Sequence, residues 1–202
     1  MLKGKKILLI ISGGIAAYKS LELIRLIRQE GATVRCILTK AATQFVTPLS
    51  IAALTREKVY CDLFSLTDES EMGHIQLSRD ADLLVVCPAT ANILARMAHG
   101  ICDDLATTAL LATDKPVMTV PAMNVKMWQS PATSANTKLL RARGVILLGP
   151  IDGDMACGEY GLGRMAETIE IVSAIDQLFN NMDVAKPLNG KRILVTSGPA
   201  YE

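Results

Sequence analysis

Aromatic side chains are scarce in this 202-residue sequence, with one tryptophan, four tyrosines and three phenylalanines. With 21 Lys and Arg against 20 Asp and Glu and a net charge of +1, there is no polybasic face, which argues against a nucleic-acid partner. The five cysteines (Cys36, Cys61, Cys87, Cys102, Cys157) are odd in number and contain no Cys-x-x-Cys. That excludes a disulfide framework and a zinc motif, and most of them read as small buried hydrophobes. With only two histidines, His74 and His99, no metal site is expected. No apolar run approaches the roughly 20 residues that a bilayer span requires, and the basic N-terminus lacks a small-residue cleavage site. These absences predict a cytosolic protein with no membrane partner.

What is present is hydrophobic: half of the residues are apolar, enough for the core of one sizeable α/β domain. Short apolar runs recur at Lys5 to Ile11, Thr33 to Leu38, Leu83 to Cys87, Pro116 to Val120 and Val145 to Leu148, the last expected to be the final strand. Most are continuous rather than alternating, as in strands buried on both faces of a parallel sheet. Helical stretches separate them at about Ile15 to Gln29, Pro48 to Thr55, Ile93 to His99, Asp103 to Ala112, Pro131 to Gly144 and Glu167 to Phe179. The alternation predicts an α/β fold with a doubly wound, mainly parallel sheet, a flavodoxin-like or Rossmann-like three-layer sandwich.

Ligands in such folds bind beyond the carboxyl ends of the strands. After the first run come Ser12-Gly13-Gly14-Ile15, where glycines admit an anion to the backbone and a helix start adds favourable potential. The spacing falls short of Gly-x-Gly-x-x-Gly, and Ser12 also fits a helix N-cap. The second run ends in Thr39, a hydroxyl for the same phosphate; an acid there would have suggested a nicotinamide dinucleotide. Pro88-Ala89-Thr90-Ala91-Asn92 is a loop of small residues open to a planar cofactor.

Pro121-Ala122-Met123-Asn124-Val125-Lys126-Met127-Trp128 follows the Pro116 to Val120 run. The Asn124 amide offers two N–H donors and no charge, so it can hold a carboxylate and still let it depart as carbon dioxide. The same residues also fit a plain N-cap followed by core-filling thioethers. His74, with an unperturbed pKa near 6.5, is a candidate acid or base and equally a structural histidine. Residues 149–164 hold five glycines around Cys157 and lack periodicity, which predicts a mobile functional loop or disorder with a candidate reactive thiol. Residues 1–179 form the expected domain and 180–189 a linker. Residues 190–202 repeat the opening Gly-Lys-Lys/Arg-Ile-Leu pattern, predicting the start of a second α/β domain in a longer natural protein.

Four motifs together resemble the phosphopantothenoylcysteine decarboxylases, members of the homo-oligomeric flavin-containing cysteine decarboxylases. They are Ser12-Gly13-Gly14-Ile15-Ala16-Ala17-Tyr18-Lys19, Gly73-His74-Ile75, the Pro-x-Met-Asn-x-x-Met-Trp pattern of Pro121 to Trp128, and Ala156-Cys157-Gly158 with Gly163-Arg164-Met165. The family's Pro-Ala-Ser-Ala-Asn-Thr appears as Pro88 to Ile93, which keeps a hydroxyl at Thr90 and loses one at Ile93. The tail resembles the start of a phosphopantothenate-cysteine ligase domain.

The resemblance implies FMN held by Ser12, Gly13, Gly14, Ile15, Thr39, Pro88, Ala89, Thr90 and Asn92. It implies His74, Asn124 and Cys157 as catalytic residues, with Met127, Gly158 and Arg164 also at the substrate. The implied substrate is 4′-phosphopantothenoylcysteine, whose thiol is oxidised to a thioaldehyde before carbon dioxide leaves; the resulting enethiol is reduced to 4′-phosphopantetheine with a proton from Cys157. A trimer-based homo-oligomer, extending to a dodecamer, is implied as well. The competing readings are a flavin prenyltransferase, which has no need of the Asn124 motif, and a non-catalytic flavin-binding regulatory subunit, whose signature would be loss of His74 or Cys157.

Overall fold

The computed structural model describes residues 2–62, 73–156 and 158–184. Six strands form one parallel sheet in the order β3-β2-β1-β4-β5-β6: β1 Lys6–Ile11, β2 Thr33–Leu38, β3 Val59–Tyr60, β4 Leu83–Ala89, β5 Val117–Pro121 and β6 Ile146–Leu147. The order reverses direction between β1 and β4, which pair from Ile7 with Leu83 to Ile10 with Val86. Loops leaving these two strands diverge, and a crevice opens there at the carboxyl edge.

The continuous apolar runs are explained by burial on both faces. In β1, Ile7, Leu9 and Ile11 face α1 (Lys19–Gln29), α2 (Pro48–Thr55) and α8 (Thr168–Val184). Leu8 and Ile10 face the opposite layer of α3 (Gly73–Arg79), α4 (Ala91–His99), α5 (Leu105–Ala112) and α7 (Pro131–Ala142). Each such side chain contributes roughly 1.5–3 kcal/mol of burial. The result is the three-layer doubly wound sandwich.

Helix boundaries follow local chemistry. Thr47 caps α2 by accepting the Ser50 N–H at 3.1 Å, with Pro48 in the first turn. Asp104 caps α5 in a reciprocal pair with Thr107, so the helix begins at Leu105 rather than Asp103. The first helical stretch divides into a 3-10 turn, Ile15–Tyr18, and α1.

Three expectations are corrected. Residues 149–164 are not a structureless loop: Ile151–Asp154 (β7) and Tyr160–Arg164 (β8) pair as an antiparallel hairpin, so β6 is not the last strand. Glycines in place of β-formers hid this, because the hairpin packs its backbone against α6 (Val125–Gln129) instead of burying side chains. Residues 88–92 are not a loop: β4 runs through Ala89, Thr90 is an N-cap, and Asn92 is already in α4. Finally, α8 continues to Val184, past the linker boundary drawn at 179. Residues 190–202 lie outside the described residues. Among the described residues no helix is long and apolar enough to cross a membrane.

Candidate active site

A cleft of about 1280 Å³ opens at the carboxyl edge over the β1/β4 reversal. Typical single-ligand pockets hold roughly 300–1,000 Å³, so this one has room for two small molecules side by side. Its floor is the β1 exit. Ser12 is buried and donates its hydroxyl proton to the Pro88 carbonyl at 2.7 Å, while accepting the Thr90 N–H at 3.2 Å. It is therefore a strut between two loops and caps no helix. Ser20 adds a second tie, donating to the Cys87 carbonyl at 2.9 Å.

Gly13 runs against the turn after β2: a Cβ there would lie 2.3 Å from Ala41 Cβ and 2.6 Å from its carbonyl carbon. Only glycine fits, and the close approach presents bare backbone to the cleft. Thr39 faces the same space, its hydroxyl oxygen accepting the Ala42 N–H at 3.2 Å. Ile15, 61% exposed, and Thr90, Asn92 and Pro88 line the cleft. Ala89 does not. It is fully buried, its carbonyl accepts the Ala122 N–H at 3.1 Å, and its side chain packs in the core beneath α4. The final residue of β4 points to the core because strand side chains alternate, which a loop reading could not foresee.

The far wall is the β5 exit. Asn124 caps α6: its Oδ1 accepts the Lys126 N–H at 2.7 Å, and its Nδ2 donates to the Glu159 carboxylate of the hairpin. Asn124 is thus the helix cap that the sequence offered, with its acceptor spent on the helix and its amide nitrogen on the hairpin carboxylate. Met127 lines the cleft and is 48% exposed, so it fills no core gap. The hairpin closes one side, with Met123 N–H donating to the Gly163 carbonyl at 3.0 Å. Gly163 is tightly confined, since a Cβ would lie 2.3 Å from the Met123 carbonyl oxygen.

Arg164 reaches the cleft and pairs with Glu167, whose other oxygen takes Lys19 Nζ at 3.1 Å. Gly158 sits exposed in the hairpin turn and does not line the cleft. His74 is placed by its backbone in α3; its side chain, and Cys157 altogether, lie outside the described residues.

Sequence reasoning missed Lys19, Arg96, Asp104, Glu159 and Glu167. Arg96 lines the cleft from α4 and pairs with Asp104 at 2.6 Å and with Asp103. Burial works against the ionised Asp104, but hydrogen bonds from the Thr107 N–H and hydroxyl and the Arg96 charge outweigh it and hold the carboxyl below its ordinary range. Arg96 lies four residues after Asn92, on the same helix face, and that spacing was the available signal. Glu159 had none, because its contact spans 35 residues. Among the described residues no group of three or more His, Cys, Asp or Glu side chains is arranged for a metal ion.

The glycine-lined approach, the hydroxyls of Thr39 and Thr90 and the size of the cleft suit a flavin cofactor in their chemistry. Residues 1–180 match the flavoprotein family. The chain belongs to that family. It is 47% identical over 201 residues to the coenzyme A biosynthesis bifunctional protein CoaBC of Vibrio vulnificus, covering 100% of this chain and 49% of the relative. The Escherichia coli K12 protein of the same name is 45% identical with the same coverage. The chain thus spans about half the length of the curated relatives it matches.

Among solved structures, a PPC decarboxylase cysteine-to-serine mutant complexed with pantothenoylaminoethenethiol superposes with a TM-score of 0.78 at 35% identity, over 87% of this chain and 98% of that one. The FMN-binding protein AtHal3 gives 0.77 at 35%, over 89% and 98%. Within the flavoprotein family, the chain therefore belongs with the PPC decarboxylases.

Proposed function

We propose that this domain decarboxylates 4′-phosphopantothenoylcysteine to 4′-phosphopantetheine with FMN, as a cytoplasmic step of coenzyme A biosynthesis. The observation that supports it is the Asn124 amide at the rim of the cleft, its Oδ1 held by the Lys126 N–H and its Nδ2 already bearing a carboxylate. Such a donor can hold a carboxylate by hydrogen bonding without neutralising its charge. An arginine there would stabilise the ground-state carboxylate through a full charge and oppose its loss.

The phosphate end of FMN would be held by the backbone at Gly13 and Gly14 and by Thr39, and its ring by Pro88, Thr90 and Asn92. Bound there, it supplies the two-electron redox chemistry that makes the carbon beside the carboxylate able to release carbon dioxide. This chain's residues do the rest. Asn124 orients the carboxylate, the Met127 thioether covers it against water, and Ser12 and Ser20 keep the β1 and β4 exits in register. His74 acts at the cysteine end of the substrate, and Cys157 returns a proton to the enethiol carbon, with Gly158 and Arg164 at the same end. Those roles rest on the motifs. The cysteine-to-serine relative complexed with an aminoethenethiol supports the Cys157 assignment.

A trimer-based homo-oligomer and a ligase domain following residue 189 complete the proposal; the bifunctional name of the relatives supports the ligase. The test is direct. The FMN-loaded protein is mixed with phosphopantothenoylcysteine while carbon dioxide and the flavin spectrum are followed. Stoichiometric phosphopantetheine and carbon dioxide are expected. Prenylation of the flavin in the presence of a prenyl phosphate, with no decarboxylation, would replace this reading with a flavin prenyltransferase.

A further inference from the structure

The contact between Asn124 and Glu159 joins two elements that are otherwise held by main chain. Glu159 stands in the turn of the β7–β8 hairpin, where its carbonyl accepts the Met155 N–H at 2.9 Å, so its backbone position is set by the turn. Deeper in the hairpin, the Gly163 carbonyl accepts the Met123 N–H at 3.0 Å, and Val125 lies over Gly161, 3.4 Å from where a Cβ would be. The inner end of the hairpin is therefore fixed by backbone and close packing. Its outer end meets the β5 exit through the Glu159 carboxylate on Asn124 Nδ2.

Resting on the reading of Asn124 as the substrate-carboxylate donor, the geometry points to Glu159 as a specificity-determining residue. We propose that it is an internal carboxylate that holds the Asn124 donor until the carboxylate of the substrate displaces it, and that returns once carbon dioxide has left. Two carboxylates brought to the same Asn124 Nδ2 carry like charge and repel, so the two compete for it. Displacement breaks one side-chain hydrogen bond and leaves the hairpin ladder and the Met123–Gly163 contact intact. A carboxylated thiol can make the exchange. The decarboxylated product has no carboxylate to offer Asn124, so Glu159 retakes the amide without touching the product.

The test uses the FMN-loaded full chain with Glu159→Gln and Glu159→Ala. The neutral glutamine competes more weakly for the amide and the alanine does not compete at all, so KM for phosphopantothenoylcysteine should fall about three- to tenfold in both, most in the alanine variant. The inhibition constant of phosphopantetheine should stay within about twofold, since it has no carboxylate to place. A raised KM and lowered kcat in the alanine variant, restored by glutamine, would show instead that Glu159 orients Asn124, and would overturn the proposal; an unchanged KM in both variants would do so as well. Calorimetric titration of the same two ligands reads the shift as Kd without turnover. A wild-type chain that binds the carboxylated ligand but releases no carbon dioxide would fail the function proposed above and leave this comparison standing.

Discussion

Ser12 and Pro88, 76 positions apart, are joined by a 2.7 Å hydrogen bond from the serine hydroxyl to the proline carbonyl. Because the same hydroxyl oxygen accepts the Thr90 N–H, one buried side chain holds together the exits of β1 and β4, the two strands between which the sheet reverses. Ser12→Ala leaves a buried carbonyl and a half-buried N–H without this partner, at a cost of about 1–3 kcal/mol. Thermal unfolding should show that loss, and the variant should release its flavin more readily on dilution; unchanged stability would mean water replaces the hydroxyl.

Gly13→Ala tests the phosphate approach. A methyl at 2.3 Å from Ala41 Cβ must push the β1 and β2 exits apart. Overpacking of this kind costs about 1–3 kcal/mol, which a domain of this size should survive folded. The expected protein is folded but colourless after purification. Normal FMN content would remove this loop from the cofactor site.

Asn124→Asp keeps the shape and adds a charge. The new carboxylate faces Glu159 and, when substrate binds, the substrate's own carboxylate. At about 4 Å and an effective dielectric near 20, like charges repel by about 4 kcal/mol, a loss of about a thousandfold in kcat/KM. Flavin content should be unchanged, because the β5 exit lies across the cleft from Gly13. Activity near wild type would reduce Asn124 to a helix cap.

Cys157→Ser divides the proposed cycle in two. Thiol oxidation and loss of carbon dioxide do not require the Cys157 proton, so carbon dioxide should appear about once per site while the enethiol accumulates. A serine hydroxyl is far less acidic than a thiol of pKa near 8.5, so the final proton transfer should slow steeply. Single-turnover mass spectrometry should find a product two hydrogens lighter than phosphopantetheine. Phosphopantetheine formed at the wild-type rate would exclude the thiol from the reaction.

The remaining described thiols should sort by burial. Burial pushes the Cys87 thiol up to about 12, with the Lys19 charge opposing it only in part. Cys36 is raised by burial as well, whereas Cys61 and Cys102 are exposed. Iodoacetamide should therefore modify Cys61 and Cys102 in the native protein and spare Cys36 and Cys87. For Cys87 the folded state favours the neutral thiol, so its contribution to stability is complete below the ordinary thiol value of 9.0 and is lost as pH rises from there through about 12. Denaturant midpoints should fall across that window; a flat profile would contradict the buried placement.

Strand and helix identities were legible locally because both-face burial demands unbroken apolar runs, as at Lys6–Ile11, and because caps such as Thr47-Pro48 act within one turn. Most of the residues after those runs were likewise recognisable as cleft-lining, since a parallel sheet sends every carboxyl end to the same edge. Pairings across the fold were not. The hairpin of 151–164 was hidden because its glycines are selected by neighbours such as the Met123 carbonyl, which no local pattern records. Ala89 was misassigned because one further strand residue reverses the direction of a side chain. The amino-acid sequence determined which chemical groups stand at the edge of the sheet, through rules that operate over a few residues. The tertiary structure alone decided which of them meet: Ser12 with Pro88, Lys19 with Glu167, Asn124 with Glu159. Each of those contacts depends on where distant segments pack, and packing is settled only by the whole core.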